Sequence, residues 1–163
     1  MKIIDNALNH EDFTRVKEYM MSKWIDWYFS ETIVTGEEEN FPISCFTHAF
    51  YDFRNNRIHC SSSYDILLPI IEILKPASLV RVKANLYVNQ NKFVMHDMHT
   101  DNDRDINAAL FYVNSNNGKT IFLDGTEIES VENRLVIFKA NTPHRSTNCT
   151  DQYRRVNINF NYI

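Results

Sequence analysis

From residue 77 onward the chain shows no helical period. Short runs rich in β-branched and aromatic residues instead alternate with Asn, Asp and Gly. Runs at Leu79–Val88, Ala108–Val113, Lys119–Leu123, Arg134–Phe138, Pro143–Thr147 and Arg155–Tyr162 read as strands. Turn signals at Asn116-Asn117-Gly118 and Asp124-Gly125 separate some of them. So many short strands in half a chain call for a compact antiparallel region, in which a barrel or jelly roll closes the edges.

The first half has a different texture. From about Asn9 to Trp27 the apolar positions Phe13, Val16, Tyr19, Met20, Trp24 and Trp27 recur three or four apart, as on an amphipathic helix, and Asn9 with Asp12 resembles its N-terminal cap. Trp24 and Trp27 read as core residues. A second helix is expected from Ser63 to Lys75, with Ile66, Leu67, Ile70, Ile71 and Leu74 as its buried stripe and Pro76 after it. Thr35 to Pro42, with the run Glu37-Glu38-Glu39, reads as a solvated loop, and Arg54-Asn55-Asn56-Arg57 as a solvated turn. The expected fold is mostly β with N-terminal helices. It forms one domain over 1–163, helical to about residue 76 and β from about 79 to 162.

Composition narrows the class of function. A net charge of −4 weighs against general attraction to nucleic-acid phosphates. No apolar run reaches the roughly 18 residues of a membrane span, and MKIIDNALNHEDF lacks the apolar run of a signal peptide. Cys45, Cys60 and Cys149 are odd in number and form no Cys-x-x-Cys pair, so buried thiols in a reducing cytoplasm are expected rather than disulfides or a zinc ribbon.

The chemistry lies in the β half. His99 and Asp101 stand two apart, so in extended chain both side chains face the same way. His144 opens a later expected strand. Two imidazoles and one carboxylate on one face of a metal leave the opposite positions open, an arrangement that suits Fe(II) with a cosubstrate and O₂. A His-x-Asp pair alone is a weak signal. About ten residues past His144 come Arg154 and Arg155, either of which can hold a carboxylate bidentately. Alternation lets only one of them face the site. His96, Asp97 and Asp103 read as loop residues, with a contact from His96 to the site left open. His10, His48 and His59 lack companions at ligand spacing, and Arg81 and Lys83 read as a wet strand face.

The set His-x-Asp, distal His, then Arg resembles the 2-oxoglutarate/Fe(II)-dependent oxygenases, and within them the prolyl 4-hydroxylase-like branch in its small viral and bacterial form. The likeness spans roughly Leu79 to Tyr162. Leu110-Phe111-Tyr112-Val113-Asn114 is similar to that branch's Tyr-Leu-Asn strand. Asn117-Gly118-Lys119-Thr120-Ile121-Phe122 is similar to its Gly-Gly-x-Thr-x-Phe segment. Asn133-Arg134-Leu135-Val136-Ile137-Phe138 stands where it has Gly-x-x-x-x-Phe.

The resemblance implies a double-stranded β-helix with helices packed on one sheet. It implies Fe(II) held by His99, Asp101 and His144, with 2-oxoglutarate as cosubstrate, O₂ as oxidant and ascorbate as a helpful reductant. It makes Arg155 the anchor of the distal carboxylate in preference to Arg154, with Asn157 in the place of the family's serine and Asn159 also facing inward. Tyr112 matches a tyrosine that bonds the same carboxylate, and Tyr87 and Asn85 are further candidates to meet the cosubstrate. The implied reaction hydroxylates a C–H bond of a protein residue, prolyl-type, or of a small molecule, and yields succinate and CO₂. A cupin-like metal-binding module without catalysis and a nucleic-acid demethylase of the same superfamily are the alternatives.

Overall fold

The computed structural model describes residues 1–31, 44–54 and 57–163. Its elements are β1 (Lys2–Ile4), α1 (His10–Met21), β2 (Tyr28–Ser30), β3 (Cys45–Arg54), β4 (Arg57–Cys60), a 3-10 turn (Tyr64–Leu67), α2 (Leu68–Leu74), β5 (Leu79–Val88), β6 (Asn107–Tyr112), β7 (Asn116–Phe122), β8 (Glu127–Ser130), β9 (Arg134–Lys139), β10 (His144–Ser146) and β11 (Arg154–Tyr162). The acidic run Glu37-Glu38-Glu39 and the pair Asn55-Asn56 lie outside the described residues.

Alternation along β11 explains the layering. Val156, Ile158 and Phe160 join one core with Phe13, Val16 and Met20 of α1 and Ile70 and Leu74 of α2. Arg155, Asn157, Asn159 and Asn161 point to the other face and are buried there too. Each apolar side chain buried in this way contributes about 1.5–3 kcal/mol. A slip of one residue would set the arginine and three asparagines against the helices, so the register is strongly specified. The neighbouring β5 divides alike, with Val82, Ala84 and Leu86 on the helix side.

These strands belong to an antiparallel sheet ordered β1-β9-β6-β11-β5-β3-β2, with β4 paired to β3. A smaller sheet, β10-β7-β8, faces it. Isolated bridges Met95↔Thr147 and His99↔His144 extend the smaller sheet with the chain that follows β5. Between the sheets lies a second core that includes Ala108, Leu110, Tyr112, Phe122, Val136 and Phe138. The fold is a double-stranded β-helix with both helices on the outer face of the larger sheet.

Several boundaries differ from the sequence reading. Helix α1 starts at the expected cap, where Asn9 Oδ1 accepts from the Asp12 N–H at 3.0 Å. It stops at Met21, where the Ser22 N–H turns back to Tyr19 O. Trp24 is therefore not core but 75% exposed, while Trp27 packs partly buried against the helix-side core. The second helix is a 3-10 turn followed by α2, closed by Lys75 at φ 47. The first half is not simply helical, since β1–β4 all join the larger sheet. Asn116-Asn117-Gly118 is no turn but a bulged start of β7. Gly125 does turn, at φ 86. Cys60 is exposed, whereas Cys45 and Cys149 are buried and all three are free thiols. Asn133, where the resembled family has glycine, takes φ 59 and clamps the N-terminal segment through two hydrogen bonds with Leu8.

Candidate active site

His99 and His144 meet because their backbones are paired. Each N–H donates to the other residue's carbonyl at 2.9 Å, which sets the rings 4.7 Å apart. The Asp101 N–H, two residues on, donates to Ala140 O at 3.0 Å and turns the carboxylate to the same place. Donor atoms of His99, Asp101 and His144 all lie within 4.8 Å of one another, with His144 Nε2 at 4.0 Å from Asp101 Oδ2. One ion can bind to all three.

The surroundings prepare these donors. His144 Nδ1 lies 2.9 Å from Thr142 O, and His99 Nδ1 lies 3.3 Å from Asp97 O. Donation to those carbonyls leaves each Nε2 lone pair for a metal. Burial, then the neighbouring His144, holds the His99 pKa below its ordinary value, which keeps the imidazole neutral and ligating. Asp101 Oδ2 accepts from Asn159 Nδ2 at 2.8 Å, and Arg81 Nη2 stands 3.8 Å from Oδ1. Phe122 and Phe138 pack on the His144 ring with centroids 5.7 and 5.0 Å away, forming a dry wall behind it. The donor set and its fixed tautomers fit Fe(II).

A cavity runs from the triad toward β7. It is lined by Lys83, Asn85 and Tyr87 of β5, Asn157 and Asn159 of β11, Leu110, Thr120 and Ser146. Arg155 lies behind Thr120, completely buried. Its Nε donates to Ser130 Oγ at 2.7 Å, Nη1 to Thr147 O at 2.9 Å and Nη2 to Thr120 Oγ1 at 3.1 Å. Among the described residues no carboxylate pairs with it. Its guanidinium carbon stands 5.5 Å from the Tyr87 ring and 5.7 Å from the Tyr112 ring. The Tyr112 hydroxyl donates to Thr120 Oγ1 at 2.8 Å. That oxygen accepts from both Tyr112 and Arg155, so the Thr120 proton is left to donate toward the cavity. Burial pushes the Tyr87 phenol up to about 12 and raises Tyr112 as well, so both stay neutral donors.

The structure separates the residues named from sequence. His99, Asp101, His144, Asn85, Tyr87 and Asn157 line one cavity, and Arg155 and Tyr112 stand behind its wall, bonded to the lining Thr120. Asn85 and Asn157 are linked there by a 3.0 Å hydrogen bond. Arg154 is excluded: alternation sends it to the helix side, where Nη2 donates to Met21 O. Arg81 and Lys83 are not a wet face, since both are half-buried on the inner side of β5. No motif or spacing in the sequence gives a role to Thr120, Ser130, Ser146 or the Thr147 carbonyl, or marks Asn159 as the partner of Asp101. One signal was present, the glycine two residues before Thr120. A Cβ at Gly118 would stand 2.6 Å from Arg155 Cδ and from Asn148 O, so glycine makes room for the arginine stem.

No family model and no curated protein sequence matches this chain. Solved structures do. An oxidoreductase of the 2OG-Fe(II) oxygenase family from Burkholderia pseudomallei superposes with a TM-score of 0.70 at 8% identity, covering 98% of this chain and 83% of that one. A prolyl hydroxylase from Trichoplax adhaerens, solved with a hypoxia inducible factor peptide fragment, gives 0.67 at 14% identity over 99% and 82%. A Pseudomonas putida prolyl-4-hydroxylase gives 0.57 at 14% identity over 99% and 91%. Over nearly its full length, then, the chain has the fold of the 2-oxoglutarate/Fe(II) oxygenases, with a His-Asp-His cluster at its centre.

Proposed function

We propose that the chain is an Fe(II)- and 2-oxoglutarate-dependent dioxygenase that hydroxylates a C–H bond of a protein residue, prolyl-type, or of a small molecule. Arg155 carries this reading. A fully buried guanidinium with no carboxylate partner among the described residues stands across the cavity from three clustered metal donors. A charge left buried and unpaired costs several kcal/mol. A dicarboxylate spanning the cavity supplies the missing anion at one end and a chelating 2-oxo acid at the other.

The chain's own groups divide the work. His99, Asp101 and His144 would hold the metal, three ligands that leave it able to take further oxygen ligands. Asn159 and Arg81 hold Asp101 in place. Arg155 and the Thr120 hydroxyl receive the distal carboxylate, while Tyr112 orients Thr120. Phe122 and Phe138 keep water from the back of the site. Bound iron supplies the activation of O₂ and the oxidative decarboxylation that gives succinate and CO₂. Two structural neighbours are named prolyl hydroxylases, so prolyl peptides are the first substrates to try.

Purified protein with Fe(II), ascorbate and 2-oxoglutarate should form succinate slowly without substrate and faster with the right one. Screening prolyl peptides, small molecules and methylated oligonucleotides separates the substrate classes. Absence of succinate together with absence of 2-oxoglutarate binding overturns the reading.

A further inference from the structure

His96, three residues before His99, is 2% exposed. Its N–H donates to Ser146 O at 2.9 Å, within the pairing that joins His99 to His144. Its Nδ1 lies 2.7 Å from Ser146 Oγ. The ring packs on Tyr87 with centroids 4.9 Å apart, and Tyr87 in turn faces the Arg155 guanidinium. Tyr87 and Ser146 both line the cavity, so His96 stands directly behind its wall, as Arg155 does behind Thr120. His96 Nε2 is buried with no hydrogen-bond partner among the described residues. Burial, then the Arg155 charge, pushes its pKa down to about 3, so the ring is neutral. The Ser146 contact fits either tautomer; with Nδ1 accepting the Ser146 O–H, the proton of the neutral ring stands on Nε2.

We propose that His96 is a carboxylate-binding residue whose Nε2–H, beside the Arg155 guanidinium, donates to the distal carboxylate of the bound cosubstrate. A carboxylate is acceptor-only and has more lone pairs than Arg155 and Thr120 use. The buried donor and the anion therefore satisfy each other. This rests on the 2-oxoglutarate reading above.

Two variants separate this role from packing. In His96→Asn the amide can take the place of Nδ1 toward Ser146, but nothing reaches the Nε2 position. In His96→Gln the longer amide puts an N–H near Nε2. The measurement is anaerobic calorimetric titration of the Fe(II)-loaded protein with 2-oxoglutarate and with 2-oxopentanoate, which lacks the distal carboxylate. Loss of one hydrogen bond to a charged group should weaken 2-oxoglutarate binding by His96→Asn about tenfold to a hundredfold. Its Fe(II) affinity and 2-oxopentanoate affinity should not change, and His96→Gln should stay within about threefold of wild type. Equal weakening of both acids, or undiminished 2-oxoglutarate affinity in His96→Asn, overturns the proposal. If His96→Asn does not fold, a tenfold loss in His96→Gln overturns it and near-native affinity supports it. Failure of the wild type to bind 2-oxoglutarate at all is a different result and removes the underlying functional reading as well.

Discussion

Replacing Arg155 with leucine removes the formal positive charge proposed to meet the distal carboxylate of the cosubstrate. The guanidinium has five N–H donors. Three are spent on Ser130, Thr147 and Thr120, which leaves one on each terminal nitrogen, the fork a carboxylate needs. At about 1.5–3 kcal/mol for each hydrogen bond to a charged group, two such bonds amount to about 3–6 kcal/mol. At about 1.4 kcal/mol per decade, Arg155→Leu should weaken 2-oxoglutarate binding about 10²- to 10⁴-fold. Stability of the unliganded protein should change far less. Leucine relieves a buried unpaired charge while leaving Thr147 O and two hydroxyls short of a donor, and these effects oppose each other. Anaerobic titration of the Fe(II)-loaded protein measures the affinity, and urea melts of the metal-free protein measure the stability. Arg154→Leu is the control and should bind within about twofold of wild type, since that side chain faces α1. A Kd for Arg155→Leu within threefold of wild type would refute the assignment.

The same geometry bears on other positions. His144→Ala and Asp101→Ala should each abolish Fe(II) binding and succinate formation, and calorimetry with metal alone checks the first effect. Asn159→Leu removes the 2.8 Å hydrogen bond to Asp101 and should lower Fe(II) affinity about 10- to 100-fold with the fold intact. Gly118→Ala drives a methyl group into Arg155 Cδ and Asn148 O and should lower stability by about 1–3 kcal/mol while weakening 2-oxoglutarate, read by melts and titration together. His96 has a pKa near 3 in the fold against 6.5 for a free histidine, so between those values the unfolded chain binds the extra proton and stability falls as pH falls. From pH 7 to pH 5 that loss is about 2 kcal/mol for His96 alone. Metal-free His96→Asn should lack it, and an equal decline in both proteins would count against a buried neutral ring.

Much of the site was legible because its chemistry sits in short, extended motifs. His99 and Asp101 stand at the spacing that puts two side chains on one face, and β5 has the bounds expected from its composition. β3 carries no strand signal in the sequence although Cys45–Arg54 is ten residues long. Its aromatics lie on both faces and carry little alternation, and its partners, β2, β4 and β5, are distant in sequence or short. β8, at four residues, is too brief to announce itself. Trp24 fits the helical stripe of α1, yet capping at Ser22 ends the helix before the stripe does. The bulge at Asn116-Asn117-Gly118 reads as a turn because glycine marks both. Only the pairing of β7 with β8 shows which of the two it is.

What the sequence determined by itself was the list of reactive groups and the alternation that sorts them, since both are local properties of extended chain. The choice between Arg154 and Arg155 was not local. It followed once Val156, Ile158 and Phe160 were committed to the helix-side core, because the opposite register would set Arg155 and the asparagines of β11 against that apolar core. The same commitment put Asn159 against Asp101 and left the Arg155 charge buried without a carboxylate partner among the described residues. Partners brought together across two sheets are a property of packing, and no spacing along the chain encodes them.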